Sequence, residues 1–155
     1  MWLKLVFSEA VFIPLPMTTV RKMLRLAKVK SSDVLYDLGA GDGRVIITAA
    51  KEYGCKAVGI ERSELVAALC RWNIRKLGLK DKIKLIEGNY FDVNLSKATV
   101  VMAYLSQKQN NLLLPKLKKE LRKGTRVVSA SHTFLGLKEI KRIKTGHFYT
   151  HLYKI

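Results

Sequence analysis

The feature that most constrains this chain is the stretch VLYDLGAGDGR, residues 34–44. Mostly apolar residues lead to Asp37, and glycines then occupy positions 39, 41 and 43. Because glycine loses the most backbone entropy on folding, closely spaced glycines weaken an ordinary helix or strand. The segment is instead typical of a tight turn between a strand and a helix, at which a ligand approaches the backbone closely.

Strand-like and helix-like segments alternate along the rest of the chain. Short apolar runs between turn residues predict strands, and apolar residues at helical spacing predict helices, one of them with Ser63 as its N-cap. The predicted strands are 33–39, 56–61, 82–89, 98–105 and 125–131; the predicted helices are 18–29, 43–54, 63–78 and 110–124, the last with Pro115 near its first turn or at a kink; and an antiparallel hairpin is predicted over 137–155, around Thr145-Gly146.

This alternation predicts the fold class. Strands that alternate with helices form a parallel sheet with helices on both faces. The C-terminal hairpin adds two antiparallel strands, so the fold class is α/β, with a mostly parallel seven-stranded sheet. A chain of 155 residues is the size of a single domain, predicted here over residues 1–155.

Two classes of ligand compete for the glycine turn. A dinucleotide site has the spacing G-x-G-x-x-G, whereas the glycines here follow G-x-G-x-G. Asp37 lies two residues before the first of them, where its carboxylate would repel a pyrophosphate but attract an ammonium group. S-adenosylmethionine carries an ammonium group and no phosphate, and it fits this turn better than a dinucleotide does.

Two more strand ends carry polar residues suited to the same ligand. Glu61 ends the second predicted strand, where a carboxylate can accept hydrogen bonds from both hydroxyls of a ribose. Asn89, after the third strand, can hydrogen-bond an adenine edge, and Tyr90 or Phe91 can cover the adenine face. Because the carboxyl ends of parallel strands meet at one edge of a sheet, we expect these residues to form one site.

The motifs VLYDLGAGDGR, GIE and IEGNYFD resemble those of the class I S-adenosylmethionine-dependent methyltransferases, and the resemblance covers nearly the whole chain. A narrower resemblance, to the small archaeal protein-lysine methyltransferases and their mitochondrial relatives, rests on FIPLPMTTVRKMLRLAKV, DLGAGDGRVIITAAK, ATVVMAYL and LLPKLKKELRKGTRVVS. It implies a Rossmann-like methyltransferase fold, S-adenosylmethionine as cofactor and methyl transfer to exposed lysines of protein substrates. The cofactor-binding residues expected on this basis are Asp37, Gly39, Ala40, Gly41, Glu61, Arg62, Asn89, Tyr90 and Phe12.

Methyl transfer to an amine depends mainly on positioning and desolvation of the two reactants. An apolar, aromatic-rimmed channel lowers the pKa of an entering lysine and so favours its neutral, nucleophilic form. Tyr104, at the end of the fourth predicted strand, is the expected rim residue and positions the amine. Ser129, Ser131 and His132 are expected to border the same mouth, although a lone histidine is more often structural than catalytic.

The net charge of +17 leaves the substrate class open. Such a surface attracts phosphate backbones and acidic partners, and it equally suits a solvated basic face. An RNA or DNA methyltransferase is therefore the alternative function, and a non-catalytic binding protein is a third. VMAYLS, at the end of the fourth strand, lacks the prolines of the adenine-N6 clamp, and neither cysteine lies where a cytosine-C5 nucleophile would stand.

The remaining features concern location. The apolar N-terminal stretch is interrupted by Lys4 and Glu9 and is expected to belong to the fold rather than to a signal peptide. No apolar run is long enough for a spanning helix. Cys55 and Cys70 lack metal-ligand spacing and are expected to be buried, reduced thiols. The expectation is a cytoplasmic monomer without a metal.

Overall fold

A computed structural model describes residues 12–155 of the chain. Helices and strands alternate in it as the sequence predicts, with element ends that differ by a few residues. The helices are α1 (Met17–Leu26), α2 (Arg44–Tyr53), α3 (Glu64–Lys76) and α4 (Gln107–Glu120), with a short 3-10 helix at Tyr90–Asp92; the strands are β1 (Val34–Leu38), β2 (Lys56–Glu61), β3 (Ile83–Glu87), β4 (Val100–Ala103), β5 (Arg126–Ala130), β6 (Glu139–Thr145) and β7 (Phe148–Lys154).

The strands form one seven-stranded sheet in the order β3-β2-β1-β4-β5-β7-β6. β1 to β5 pair in parallel, and β7 pairs antiparallel with both β5 and β6. The predicted fold class is thus confirmed, including the C-terminal hairpin, whose turn lies at Gly146–His147. The chain moves outward from β1 to β3 and then returns to place β4 on the other side of β1. Ligands of open α/β sheets bind beyond the carboxyl ends of the strands at such a reversal.

Apolar side chains cover both faces of the sheet. Residues of α1, α2 and α3, among them Met23, Ile46 and Cys70, belong to one buried cluster. The opposite cluster contains Leu113 and Leu117 of α4. Because helices shield both faces, ligand access is concentrated at the edges of the sheet.

Of the two positions predicted for Pro115, the one near the first turn of the helix is wrong. α4 begins at Gln107, because the Ser106 side chain accepts a hydrogen bond from the Gln109 N–H (3.2 Å) and caps the helix. Pro115 consequently lies in the helix interior, a position that disfavours a helix by about 3 kcal/mol. Leu113 and Leu117 on either side of it are fully buried, and their packing stabilises the helix against this penalty.

The segment before α1 is described only in part. The prediction that the N-terminal stretch belongs to the fold concerns mainly residues 1–11, which lie outside the described residues. Leu15 is buried, and its carbonyl oxygen accepts a hydrogen bond from Arg44 (2.6 Å). Within residues 12–155, no helix has the length and apolar composition needed to cross a membrane.

Candidate active site

A cavity of about 740 Å³ opens at the carboxyl ends of β1, β2, β3 and β4. Its volume lies within the range of roughly 300–1,000 Å³ that is usual for small-molecule sites. Every residue predicted for the cofactor or the acceptor amine lines this cavity, together with His132: Phe12, Asp37, Gly39, Ala40, Gly41, Glu61, Arg62, Asn89, Tyr90 and Tyr104. The structure thus brings these residues to one place, while the role of each stays a prediction.

The glycine turn after β1 owes its composition to its backbone and to two close neighbours. Gly39, Gly41 and Gly43 have φ of 89°, 60° and 91°, in the left-handed region that side chains disfavour. A Cβ atom at Gly43 would lie 2.8 Å from the Cys70 sulfur, and one at Gly41 would overlap the Phe12 ring. Because Gly41 and Gly43 have no side chains, Phe12 and α3 can pack against the turn, and a ligand can approach it as well.

Glu61 supports this turn from the end of β2. Its carboxylate accepts hydrogen bonds from the Gly41 N–H (2.8 Å) and the Ser63 N–H (3.0 Å). Ser63 in turn caps α3, as predicted, by accepting from the Val66 N–H. A carboxylate offers about four acceptor positions, so Glu61 can bind further donors such as a pair of ribose hydroxyls.

Asp37 is a buried carboxylate facing other carboxylates. Burial raises its pKa well above the usual value for aspartate, and the negative charges of Glu61 and Asp42 raise it further. No side chain of residues 12–155 donates a hydrogen bond to it. A positively charged ligand in the cavity would remove this electrostatic penalty, and S-adenosylmethionine, with its ammonium and sulfonium groups, fits the set of carboxylates.

Arg44 connects the glycine turn to the segment before α1. Its guanidinium donates to both oxygens of Asp42 (3.1 and 2.6 Å) and to the carbonyl oxygen of Leu15 (2.6 Å). The backbone that carries Phe12 is thereby held against the turn. The sequence analysis missed this clamp, since its third partner is a backbone carbonyl, which leaves no trace in the residue pattern.

The residues predicted to surround the adenine also have structural contacts. The Asn89 side-chain oxygen accepts from the Phe91 N–H (3.0 Å) and caps the 3-10 helix, which leaves the amide NH₂ as its ligand donor. The Tyr90 hydroxyl donates to the Gln109 side chain (2.6 Å) at the start of α4. Gln109, which also lines the cavity, was not predicted, because no local pattern pairs it with Tyr90.

Tyr104 follows β4 directly and lines the cavity. Its ring stacks on that of Phe148, the first residue of β7, with centroids 5.7 Å apart and planes 21° apart. Of this pair, Tyr104 lines the cavity where a rim residue was predicted, and Phe148 packs against it without lining the cavity.

His132 and the two serines near it were predicted to border the mouth of the cavity. His132 lines the cavity as predicted, and its Nδ1 is buried without a hydrogen-bond partner in the described part of the chain. Ser131, which has a left-handed φ of 72°, does not line the cavity, and neither does Ser129. Ser129 is fully buried and bonded to the His132 carbonyl (2.5 Å) and the Asn110 amide (3.1 Å), so its contacts are structural.

Both cysteines are free and buried, as the sequence predicted. Burial, with the charges of Asp37, Asp42 and Glu61, raises the pKa of Cys70 to about 12, and burial also raises that of Cys55.

Because the thiolate is the reactive form, we expect neither thiol of the native protein to react with an aromatic disulfide reagent at pH 8. Both should react fully within the same period once the protein is unfolded in guanidinium chloride. Absorbance of the released thiolate measures both rates, and rapid reaction of native protein would contradict the burial of these thiols.

The fold and the carboxylate-lined cleft together define a class I S-adenosylmethionine-dependent methyltransferase. Residues 37–141 match the family of the ANTKMT methyltransferase domain, and the chain belongs to that family.

Relatives with assigned activities agree with this placement. The protein-lysine N-methyltransferase of Saccharolobus islandicus is 44% identical over 139 residues, which cover 88% of this chain and 86% of that protein. A lysine N-methyltransferase of Xenopus laevis, named for an ATP synthase subunit, is 27% identical over 79% of this chain. Only about half of that longer relative, 54% of its length, is spanned by the match.

Among solved structures, the chain resembles the crystal structure of an RNA methyltransferase from Salinibacter ruber in complex with S-adenosyl-L-homocysteine. The TM-score is 0.90 at 36% identity, and the match covers 92% of this chain and 94% of that one. This similarity agrees with the identification of the cofactor.

Proposed function

We infer that this chain is a protein-lysine N-methyltransferase, which transfers the methyl group of S-adenosylmethionine to lysine side chains of protein substrates. The observation that carries this inference is the 44% identity, over 88% of the chain, to an enzyme of that activity. The cleft supports it with one buried and two half-buried carboxylates, Asp37, Asp42 and Glu61, for a cationic cofactor, and with the Tyr104 ring beside the proposed path of the amine.

We assign the cofactor contacts as follows. Asp37 pairs with the amino group of the methionine part, next to the backbone of Gly39, Ala40 and Gly41. Glu61 accepts hydrogen bonds from the ribose hydroxyls with the lone pairs that the Gly41 and Ser63 amides leave free. The Asn89 amide donates a hydrogen bond to the adenine. Tyr90, Arg62 and Phe12 enclose the adenosine part of the cofactor.

The chemistry of the acceptor side follows from its aromatic wall. When bound, S-adenosylmethionine supplies a methyl group activated by a positively charged sulfur. The Tyr104 ring, stacked on Phe148, would exclude water from the incoming side chain and so favour the neutral amine. As the nitrogen lone pair bonded to the methyl carbon, the carbon–sulfur bond would break with its electron pair left on sulfur, and the methylated ammonium would then release its extra proton to water. The Tyr104 hydroxyl accepts a hydrogen bond from the amine and thereby orients that lone pair.

Replacement of Tyr104 by phenylalanine should lower kcat, because the ring and its stacking stay while the acceptor of the amine proton is lost. A neutral hydrogen bond contributes about 0.5–1.5 kcal/mol, which corresponds to roughly two- to tenfold. Methylation kinetics measure kcat, and calorimetry should show an unchanged cofactor affinity.

Tyr149→Phe is the matched control, since Tyr149 follows Phe148 in the C-terminal hairpin but does not lie on the cavity wall. An unchanged kcat in Tyr104→Phe would refute the assigned role of the hydroxyl.

An RNA methyltransferase is the second candidate. The net charge of +17 and the similarity to the Salinibacter ruber protein favour it.

An assay with methyl-labelled S-adenosylmethionine and cell extract separates the two candidates. Label in discrete protein bands that resists nuclease and is recovered as methyl-lysine would support the inference. Label that nuclease releases would contradict the inference and support RNA methylation instead. Purified protein without extract serves as the control for self-methylation.

We further propose that residues 1–155 act as one domain and that the enzyme is a cytoplasmic monomer. The support is the length of the chain and its pair of free thiols, which is usual in a reducing compartment. Light scattering of the purified protein gives the mass in solution, and a mass above one chain would contradict the monomer.

A further inference from the structure

The C-terminal hairpin borders the acceptor side of the active site. β7 runs antiparallel to β5, so its first residues lie at the carboxyl edge of the sheet, with Thr150 opposite Ala130. The Ser131 N–H donates to the Tyr149 carbonyl (2.9 Å), and Phe148 stacks on Tyr104. The start of β7 is therefore in direct contact with residues beside the proposed path of the lysine.

The hairpin is strongly basic. Lys138, Lys141, Arg142, Lys144 and Lys154 are its lysines and arginines, all exposed, and Glu139 is its single acid. Glu139 is paired with His151, whereas none of the five cations forms a salt bridge within residues 12–155. Among residues 12–155, this positive charge therefore has no acidic partner.

Two of these cations lie on one face of the hairpin, towards the carboxyl edge of the sheet. Lys144 pairs with Tyr149 and Arg142 with His151 across the two strands, and paired residues share a face of the sheet. The Arg142 guanidinium lies 4.9 Å from the centre of the Tyr149 ring. Lys108 adds a third exposed cation from the first turn of α4, on the wall of the cavity itself. We call Lys108, Arg142 and Lys144 the basic rim.

We propose that the basic rim is a docking surface for acidic segments of the protein substrate, so that the enzyme selects lysines flanked by aspartate and glutamate. This rests on the proposed protein-lysine activity. A target lysine is itself a cation, and a positive rim repels it unless neighbouring residues carry the opposite charge. Acidic neighbours convert that repulsion into attraction, which raises the association rate and fixes the direction of the segment.

The test compares three peptides of equal length with one central lysine, flanked on each side by glutamates, by serines or by arginines. At low salt we expect kcat/KM for the acidic peptide to exceed that for the serine peptide by about tenfold, with the arginine peptide slowest. The advantage should shrink in 0.5 M salt, where the screening length falls to roughly 4 Å.

The rim variant Arg142→Gln/Lys144→Gln should reduce the acidic-to-serine ratio to within about twofold. The matched control is Arg75→Gln/Lys80→Gln, which removes the same two charges from exposed positions away from the cavity and should keep the ratio of the wild-type enzyme. Thermal unfolding of both variants confirms that the fold is retained.

Equal rates on the three peptides, or a preference for arginine, would overturn the acidic-segment proposal alone. A loss of the ratio in the control variant as well would overturn the assignment to the rim. If none of the peptides is labelled although the cofactor still binds, the proposed function is overturned, and this inference with it. Transfer to an RNA oligonucleotide instead would make the rim a nucleic-acid surface.

Discussion

Replacing Asp37 with asparagine is expected to weaken S-adenosylmethionine binding by about 2–5 kcal/mol, roughly 30-fold to several thousandfold, because a buried charge partner is lost. The same substitution should stabilise the cofactor-free protein at neutral pH. Asp37 is buried and faces Glu61 and Asp42, so its ionisation disfavours the folded state. Removal of that penalty is expected to contribute about 0.5–2 kcal/mol.

The sign of the pH dependence follows from the raised pKa of Asp37. Between the usual pKa of an aspartate and this raised value, the folded protein binds more protons than the unfolded chain, so its stability decreases as pH rises. Cofactor affinity changes in the opposite direction, because the ammonium group pairs with the ionised carboxylate. Affinity should therefore rise through the same interval, and both effects should disappear in Asp37→Asn.

Calorimetric titration and thermal unfolding across this pH interval measure the two quantities. Asp81→Asn is a suitable control, since it removes an equal charge from an exposed position outside the cavity. A variant that binds the cofactor as tightly as the wild-type enzyme would show that Asp37 does not meet its amino group.

Replacing Glu61 with glutamine should impair both binding and stability. A glutamine side chain has one acceptor oxygen for the Gly41 and Ser63 amides and presents its NH₂ group to the other. One buried donor then lacks a partner, which costs about 1–3 kcal/mol of stability. Loss of the charged hydrogen bonds to the ribose should weaken cofactor binding by about 1.5–3 kcal/mol, roughly 10- to 150-fold.

The same two measurements apply to this variant. Glu64→Gln, three residues further along and outside the cavity, is its control. A fall in stability with full cofactor affinity would mean that Glu61 only holds the glycine turn and does not contact the ribose.

Much of the site could be predicted, because it is encoded locally. The glycine turn requires left-handed backbone at fixed positions, and Glu61 stands at the end of an apolar strand, so short patterns suffice. Contacts between distant segments left no such pattern. The Arg44–Leu15 bond joins positions 29 residues apart, and the Tyr90–Gln109 bond joins positions 19 apart.

The start of α4 was missed for a related physical reason. The stretch SQKQNN is polar and has no apolar periodicity, which favours a loop. Its side chains are used for tertiary bonds instead: Gln107 donates to the Thr133 carbonyl, and Asn110 is fully buried against Ser129. This stretch is helical because of tertiary contacts, and these do not appear in the local sequence pattern.

The three carboxylates of the cleft, Asp37, Asp42 and Glu61, also bear on turnover. Asp42 is paired with Arg44, whereas Asp37 and Glu61 form no salt bridge within residues 12–155, and they leave the pocket negative inside a protein whose overall charge is +17. Methyl donation converts a sulfonium into a neutral thioether, so the spent cofactor leaves this pocket with one positive charge fewer than it brought. With the cofactor contacts proposed above, we expect the pocket to hold the reactant more strongly than the product, which favours exchange of one for the other after each cycle.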